Sequence, residues 1–227
     1  TPLSVKSLGV AEIERSPGSG RDISRVVTTL PGVASSPASN RNDIIIRGGG
    51  PSENKFYVDG FEVNAINHFT TQGASGGVWG MIDANHLDQL NLISGAFPSN
   101  TNNALSSVFD IKLKEGSLDK FDAQLNLGIM QRGVNASGYI GDHTTFITGV
   151  RQLNFDIVFP NRTIIPTFTD LIFKSVTNID KKNKLEFFGF GAIDDLNFNT
   201  DVEKTDEHLY TLERVRRIQQ YTYTAGA

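Results

Sequence analysis

The chain of 227 residues contains no cysteine. Disulfides, thiolate nucleophiles and cysteine metal sites are thereby excluded, which is compatible with an oxidising compartment without demonstrating one. Neither charge sign is in marked excess. The 21 Lys and Arg are interspersed with 25 Asp and Glu, for a net charge of -4. Nucleic-acid binding wants a basic patch or stripe, so no nucleic-acid partner is expected. No apolar run approaches the roughly 18 residues of a membrane-crossing helix. The longest stretches, such as 187–193, are short and contain glycine. That leaves barrel strands open, because their hydropathy signal is much weaker. No signal peptide shows at Thr1, so an exported protein with this sequence is expected to be mature or cut from something longer.

Catalytic patterns are equally scarce. His68, His86, His143 and His208 stand in separate segments without HxxxH or HExxH spacing, so no metal is expected. No serine sits in G-x-S-x-G. Asp194, Asp195, Asn197, Asn199 and Asp201 form an acidic, amide-rich run. It lacks the glycine an EF-hand loop needs at position six and reads as a solvated loop. No enzyme activity and no cofactor are expected.

What is present centres on residues 43–63, DIIIRGGGPSENKFYVDGFEV. Ile44, Ile45 and Ile46 have the composition of a strand buried on both faces. Arg47 ends it, and Gly48, Gly49, Gly50 and Pro51 break the chain. Phe56, Tyr57 and Val58 make a second strand that Asp59-Gly60 turns sharply. A phosphate-cradling glycine loop would need a helix next. Here Pro51 and a strand follow. The 51–55 connection is too short for a parallel crossover. The two strands are therefore expected to form a hairpin in one sheet, with Arg47 and Asp59 at opposite edges and not paired with each other. Asp59 should cap its own turn. Arg47, leaving a very apolar strand, should need a carboxylate partner to offset desolvation.

Around this centre, weak alternation over 3–10 reads as a strand, and Pro17, Gly18 and Gly20 as a break. Asp22 is placed to cap a helix whose Ile23, Val26, Val27 and Leu30 share one face, and Pro31-Gly32 stops it. Residues 35–42 are polar. Residues 64–80, NAINHFTTQGASGGVWG, form a loop with polar and aromatic surface from Asn67, His68, Phe69 and Trp79. It is either a binding loop or a packed Ω-loop. A short helix over 81–87 with Asp83 at its N-terminus, a strand over 89–93 and a long polar loop follow. Residues 108–114 then alternate cleanly, with Phe109, Ile111 and Leu113 on one side.

IRGGG followed by YVDG resembles the plug domain of TonB-dependent outer-membrane receptors, in which Arg-Gly ends one plug strand and Asp-Gly the next. Residues 87–116, LDQLNLISGAFPSNTNNALSSVFDIKLKEG, resemble the family's second plug signature. Residues 22–33, DISRVVTTLPGV, resemble the first plug helix and its stop. The resemblance covers about residues 5–116. It departs where the family usually carries Glu-Tyr-Gly, since Ser99-Asn100-Thr101-Asn102-Asn103 stand in that loop.

After Gly116 the texture changes. Phe121, Ala123, Leu125, Leu127 and Ile129 alternate with Asp122, Gln124, Asn126 and Gly128, as a membrane-crossing barrel strand does. A turn at Gln131-Arg132-Gly133 and strands over 134–140, 146–155, 169–179, 185–193 and 218–225 complete about six. A connection containing Pro160 and Pro166 and a polar stretch over 194–213 separate some of them. Short turns at Gly141 and Asp180 alternate with longer loops, the habit of outer-membrane barrels. Six strands cannot enclose a plug, since plugged transporters use about 22.

The expected fold is thus an α+β plug domain over 1–116, a small mixed sheet with short helices. Antiparallel strands of an incomplete transmembrane β-barrel occupy 117–227. The resemblance implies an active-transport receptor in the outer membrane of a Gram-negative bacterium, in contact with its lipid. Its plug would bind a scarce nutrient, a small molecule or oligosaccharide, on outer loops that include Asn67, His68, Phe69 and Trp79. Arg47, Gly48, Asp59 and Gly60 would be the plug signature, with Arg47 against the barrel wall. The partner would be a TonB-type energy-coupling protein, although its pairing box, read by strand addition, is not visible before Leu3. The rival reading is a soluble α/β binding module with a β extension recognising glycan or protein.

Overall fold

The computed structural model describes residues 5–16, 22–35, 41–71, 73–156, 161–199, 205–214 and 217–227. The chain divides into two compact units, Thr1–Lys114 and Glu115–Ala227.

The first unit is built on a five-stranded mixed sheet. In chain order it uses β1 (Val5–Gly9), β4 (Asn54–Val58), β5 (Phe61–Val63), β6 (Leu87–Ile93) and β7 (Ser107–Leu113), arranged β1-β6-β7-β4-β5. Only the β4–β7 pair is parallel. One face carries Phe56, Val58, Leu90, Leu92, Phe109, Ile111 and Leu113, all buried. Phe56 and Phe109, paired in register, have ring centroids 4.9 Å apart. The other face holds a smaller cluster of Tyr57, Ile93 and Val108, covered by Phe97 and Ala104 of the β6–β7 connection. This second cover explains why Val108 is buried although it alternates with the core residues.

Two short helices accompany the sheet. α1 (Val10–Arg15) follows β1 directly and buries Ile13, an element without a strong sequence signal in its 6 residues. α2 (Ile23–Val27) begins as expected, with Asp22 accepting a hydrogen bond from the Ser24 N–H at 2.8 Å. The break at Pro17, Gly18 and Gly20 lies outside the described residues. Asp83 likewise caps a 3₁₀ turn, Ala84–His86, through the Asn85 N–H.

The central pair of strands does not form the expected hairpin. β3 (Ile44–Ile46) pairs antiparallel with β2 (Val33–Ser35) in a separate two-stranded sheet, while β4 pairs with β5 and β7. The reason lies in the turns. Arg47 and Gly48 have φ of +50° and +79°, and the Gly49 N–H bonds back to the Ile46 carbonyl at 2.9 Å. A 3₁₀ turn, Pro51–Glu53, then redirects the chain into β4. Asp59 and Gly60 have φ of +48° and +88°, so the hairpin belongs to β4 and β5. Both dipeptides have the paired positive φ of a type I′ turn.

The second unit is one open antiparallel meander. β8 (Asp122–Leu127), β9 (Gln131–Ile140), β10 (Thr144–Asn154), β11 (Ile164–Asn178), β12 (Lys184–Phe198) and β13 (Ile218–Gly226) lie in sequence order, and the sheet does not close. Three boundaries differ from expectation. Gln131-Arg132-Gly133 opens β9 rather than turning it, and residues 128–130 make the turn. Pro166 lies inside β11, beyond that strand's last pair with β10 at Thr167, where a missing donor costs least. β12 runs on through Asp194, Asp195 and Asn197, so that part of the acidic run is strand, not solvated loop, and Asp194 is buried. Asp201 lies outside the described residues. A helix, α3 (Asp206–Arg214), lies between β12 and β13.

The register gives this sheet two contrasting faces. On one, Phe121, Leu125 and Leu127 of β8 and its flank continue through Val134 and Val150 to Leu171, Phe173, Phe187, Ile193, Tyr221 and Tyr223, all exposed. Leu125 and Leu127 are 65% and 76% exposed. On the other, Arg151 and Asp170 stand opposite each other and form a buried ion pair at 2.6 Å, and Lys174 and Asp194 are buried as well. The rest of that buried face is apolar, with Ile147, Leu153, Phe168, Ile172, Phe188 and Phe190, so large apolar side chains occupy both faces.

Candidate functional site

The sheet of the first unit has a loop end. There β4 begins, β5 ends, β6 ends and β7 begins, so connections 47–53 and 94–106 lie at it, and 64–86 leaves from it and runs to the other end, where Leu87 opens β6 opposite Leu113. The Asp59-Gly60 turn and Leu113 lie at the opposite end.

Connection 64–80 is folded back on itself rather than extended into solvent. Asn67 and Gly80 form a β-bridge. The Met81 N–H bonds to the Ile66 carbonyl at 2.8 Å, the His68 N–H to Trp79 at 2.7 Å, and the Val78 N–H to His68 at 3.1 Å. This approach is so close that a Cβ on Gly77 would stand 1.8 Å from the His68 carbonyl oxygen.

A buried polar network anchors the fold-back. Asp22 accepts from the Asn42 side-chain amide at 2.9 Å and from the Gly80 N–H at 3.1 Å. The Asn67 carbonyl oxygen accepts from Ser24 Oγ and Asn42 Nδ2, both at 2.9 Å, and its amide donates to the Ser75 carbonyl at 2.8 Å. Asn42 and Gly77 exchange two further bonds. Asp43 accepts from the Gly76 N–H at 2.7 Å and pairs with Arg41 at 3.0 Å, and Arg41 also donates to the carbonyls of Phe69 and Gly76. Burial pushes the Asp22 carboxyl above its ordinary range, while the Arg25 guanidinium at 3.6 Å and the hydrogen-bond donors pull the other way.

Asn67, His68 and Phe69 are accordingly buried, at 1%, 0% and 5% exposure. Trp79 is half-buried, with the Arg25 guanidinium 5.2 Å above its ring. The outward surface of the segment is Thr70, Thr71, Gly73, Ala74 and Trp79. The network residues Ser24, Arg41, Asn42 and Asp43 carry no motif that marks them in sequence. The Gly76-Gly77 pair is the available signal, because adjacent glycines suit a close backbone approach.

The signature turns sit apart. Arg47 is exposed, not set in apolar surroundings, and among the described residues no carboxylate pairs with it. The turn is the physical reason, since it carries Arg47 out of the β2–β3 sheet at positive φ. Asp59 Oδ1 accepts from the Leu113 N–H at 3.2 Å, and the Asp59 N–H donates to Ile111, so the hairpin is tied to β7. Among the described residues no group of three or more His, Asp or Glu is placed to hold a metal ion. No described helix is long and apolar enough to cross a membrane.

Residues 1–108 match the family model of the TonB-dependent Receptor Plug Domain. No curated protein matches the chain. Among solved structures, the fold resembles the ferripyoverdine receptor of the outer membrane of Pseudomonas aeruginosa, with a TM-score of 0.69 and 16% identity, over 99% of this chain and 31% of that one. The siderophore receptor PirA from Acinetobacter baumannii gives 0.64 and 18% identity, over 88% and 32%. The outer membrane transporter YddB from Escherichia coli gives 0.63 and 15% identity, over 87% and 34%. The chain thus spans about a third of the length of these receptors.

Proposed function

We propose, from the match of residues 1–108 to the TonB-dependent receptor plug domain, that the chain is the plug and first barrel strands of an outer-membrane active-transport receptor. The plug occludes the barrel, takes a scarce nutrient at its loop end and moves when a TonB-type protein delivers energy from the inner membrane. The observation that carries the membrane part of this reading is the exposed apolar face of the second sheet, with the Arg151–Asp170 pair buried on the other. An exposed face of this kind suits lipid, and a charge pair on the other face suits the inner side of a barrel wall.

Leu171 tests this directly. It lies at the middle of β11 on the apolar face, 49% exposed. Leu171→Arg is expected to cost about 2–4 kcal/mol on folding into vesicles, the range for arginine near the bilayer midplane. At a water-exposed surface the same change would fall within about 0.5 kcal/mol. Urea titration of the vesicle-folded receptor distinguishes the two. A receptor that stays monodisperse without detergent would overturn the membrane assignment.

Within the plug, the nutrient meets the exposed tip of 64–80 and Trp79, and Asn67, His68 and Phe69 hold that tip in place. Arg47-Gly48 and Asp59-Gly60 are the signature turns, and Arg47 reaches a carboxylate of the barrel wall. Its exposure supports an outward partner. Arg47→Ala is expected to weaken plug–barrel association in the complete receptor while leaving the thermal unfolding of the plug nearly unchanged. A large loss of the plug's own stability would show that Arg47 serves its fold.

A further inference from the structure

At the loop end of the first unit, the 3₁₀ turn, β4, β5 and the tip 73–75 enclose a cleft of about 190 Å³. Ligand pockets commonly hold roughly 300–1,000 Å³, so this one fits a single ring-sized group. We infer that the cleft takes one ring of a neutral, hydroxyl-rich ligand, a sugar or cyclic polyol. The inference rests on the receptor reading above and narrows its nutrient.

Charge is the first argument. The charged side chains lining the cleft are Lys55 and Glu62, and they neutralise each other at 2.6 Å. Nothing there offers a net counter-charge to a carboxylate, a phosphate or an ammonium group. Both donors and acceptors are nevertheless present. Ser52 and Asn64 are exposed, with a hydroxyl and an amide free to turn toward a ligand. Asn54 is fixed as a wall, donating to the Ile44 carbonyl at 2.7 Å and accepting from Ser107 Oγ at 2.7 Å.

Ser75 supplies the second argument. It lines the cleft at 4% exposure, and its buried Oγ has no hydrogen-bond partner among the described residues. Its backbone carbonyl is already used by Asn67, so the hydroxyl alone is left over. A buried hydroxyl without a partner is costly. Oγ is closed to solvent as the tip stands, so a ligand hydroxyl supplies that partner, as donor or acceptor, when the Gly73–Ser75 tip shifts to admit it.

The test uses the full chain in detergent, with saturation-transfer NMR and calorimetry. The probes are glucose, gluconate, glucosamine and ferric desferrioxamine. Glucose is expected to bind in the millimolar range, with gluconate and glucosamine at least tenfold weaker. Ser75→Ala should weaken glucose at least tenfold while Trp79 emission and the urea midpoint stay unchanged, because Oγ holds nothing in the fold. Asn64→Ala should weaken it as well. Equal binding of the charged analogues, or an unchanged Ser75→Ala variant, would overturn the inference. Binding of ferric desferrioxamine without glucose would also overturn it and leave the receptor reading standing. Glucose binding that depends on Ser75 in a chain needing no detergent would keep the cleft and remove the receptor.

Discussion

Gly77→Ala is expected to unfold the 64–80 segment and to destabilise the plug by upward of about 3 kcal/mol, the top of the usual range for overpacking. The added methyl would stand 1.8 Å from the His68 carbonyl oxygen and 3.1 Å from Asn67 Cβ. The obstacle is backbone, not the far end of a flexible side chain. Relief therefore requires the two arms of the fold-back to separate. That breaks the His68–Trp79 and Val78–His68 hydrogen bonds and draws Gly77 away from Asn42. The chain has one tryptophan, Trp79, so its emission reports this segment alone. The variant should show a red-shifted, solvent-exposed emission under conditions where wild type does not, and a lower urea midpoint. An unshifted spectrum would mean that the fold-back tolerates a wider spacing and that its close approach is incidental.

The segment also shows where sequence reading stops. Periodicity and capping chemistry locate α2, β6, β7 and the six strands of the second unit, because each is a local pattern of apolar spacing or turn residues. The alternation of Phe121, Leu125 and Leu127 assigns a face correctly for the same reason. Pairing is not local. Whether β3 joins β4 or β2 depends on the direction in which the Arg47-Gly48 turn sends the chain. An arginine at φ +50° is rare enough that no residue preference signals it. The burial of Asn67 and His68 was hidden in another way. Polar and aromatic residues in a Gly-rich stretch look like surface, and only the arrival of Asp22, Ser24 and Asn42 from other segments turns them inward. Extended pairing past Ile193 was masked by charge. Asp194 and Asp195 read as loop because of their charge, whereas in the strand Asp194 is buried beside apolar neighbours and Asp195 is half-exposed on the other face.

Asp22→Ala should have an effect of similar size, about 2–4 kcal/mol. The carboxylate side chain is fully buried and accepts from the Ser24 N–H, the Gly80 N–H and the Asn42 amide. Loss of a cap alone costs about 1–2 kcal/mol. Leaving a buried charge without its partner costs about 3–5 kcal/mol, but Arg25 is 39% exposed and recovers part of this from water. The two terms together set the expected range. Asp22→Asn keeps one acceptor but turns an NH₂ toward donors, and should fall between wild type and alanine. The pH dependence separates Asp22 from a purely steric role. Its folded-state pKa is raised above the ordinary value of 3.8, chiefly by burial. The native state therefore holds the proton where the unfolded state has released it. The stability this contributes is fully present below pH 3.8 and is lost as pH rises through the folded-state value. The stability difference between wild type and Asp22→Asn should accordingly shift toward wild type on acidification, over a window opening just above pH 3.8. Urea midpoints read from Trp79 emission across that window measure it. A difference that stays flat with pH would mean that the donors around Asp22 outweigh its burial and hold the carboxylate ionised throughout.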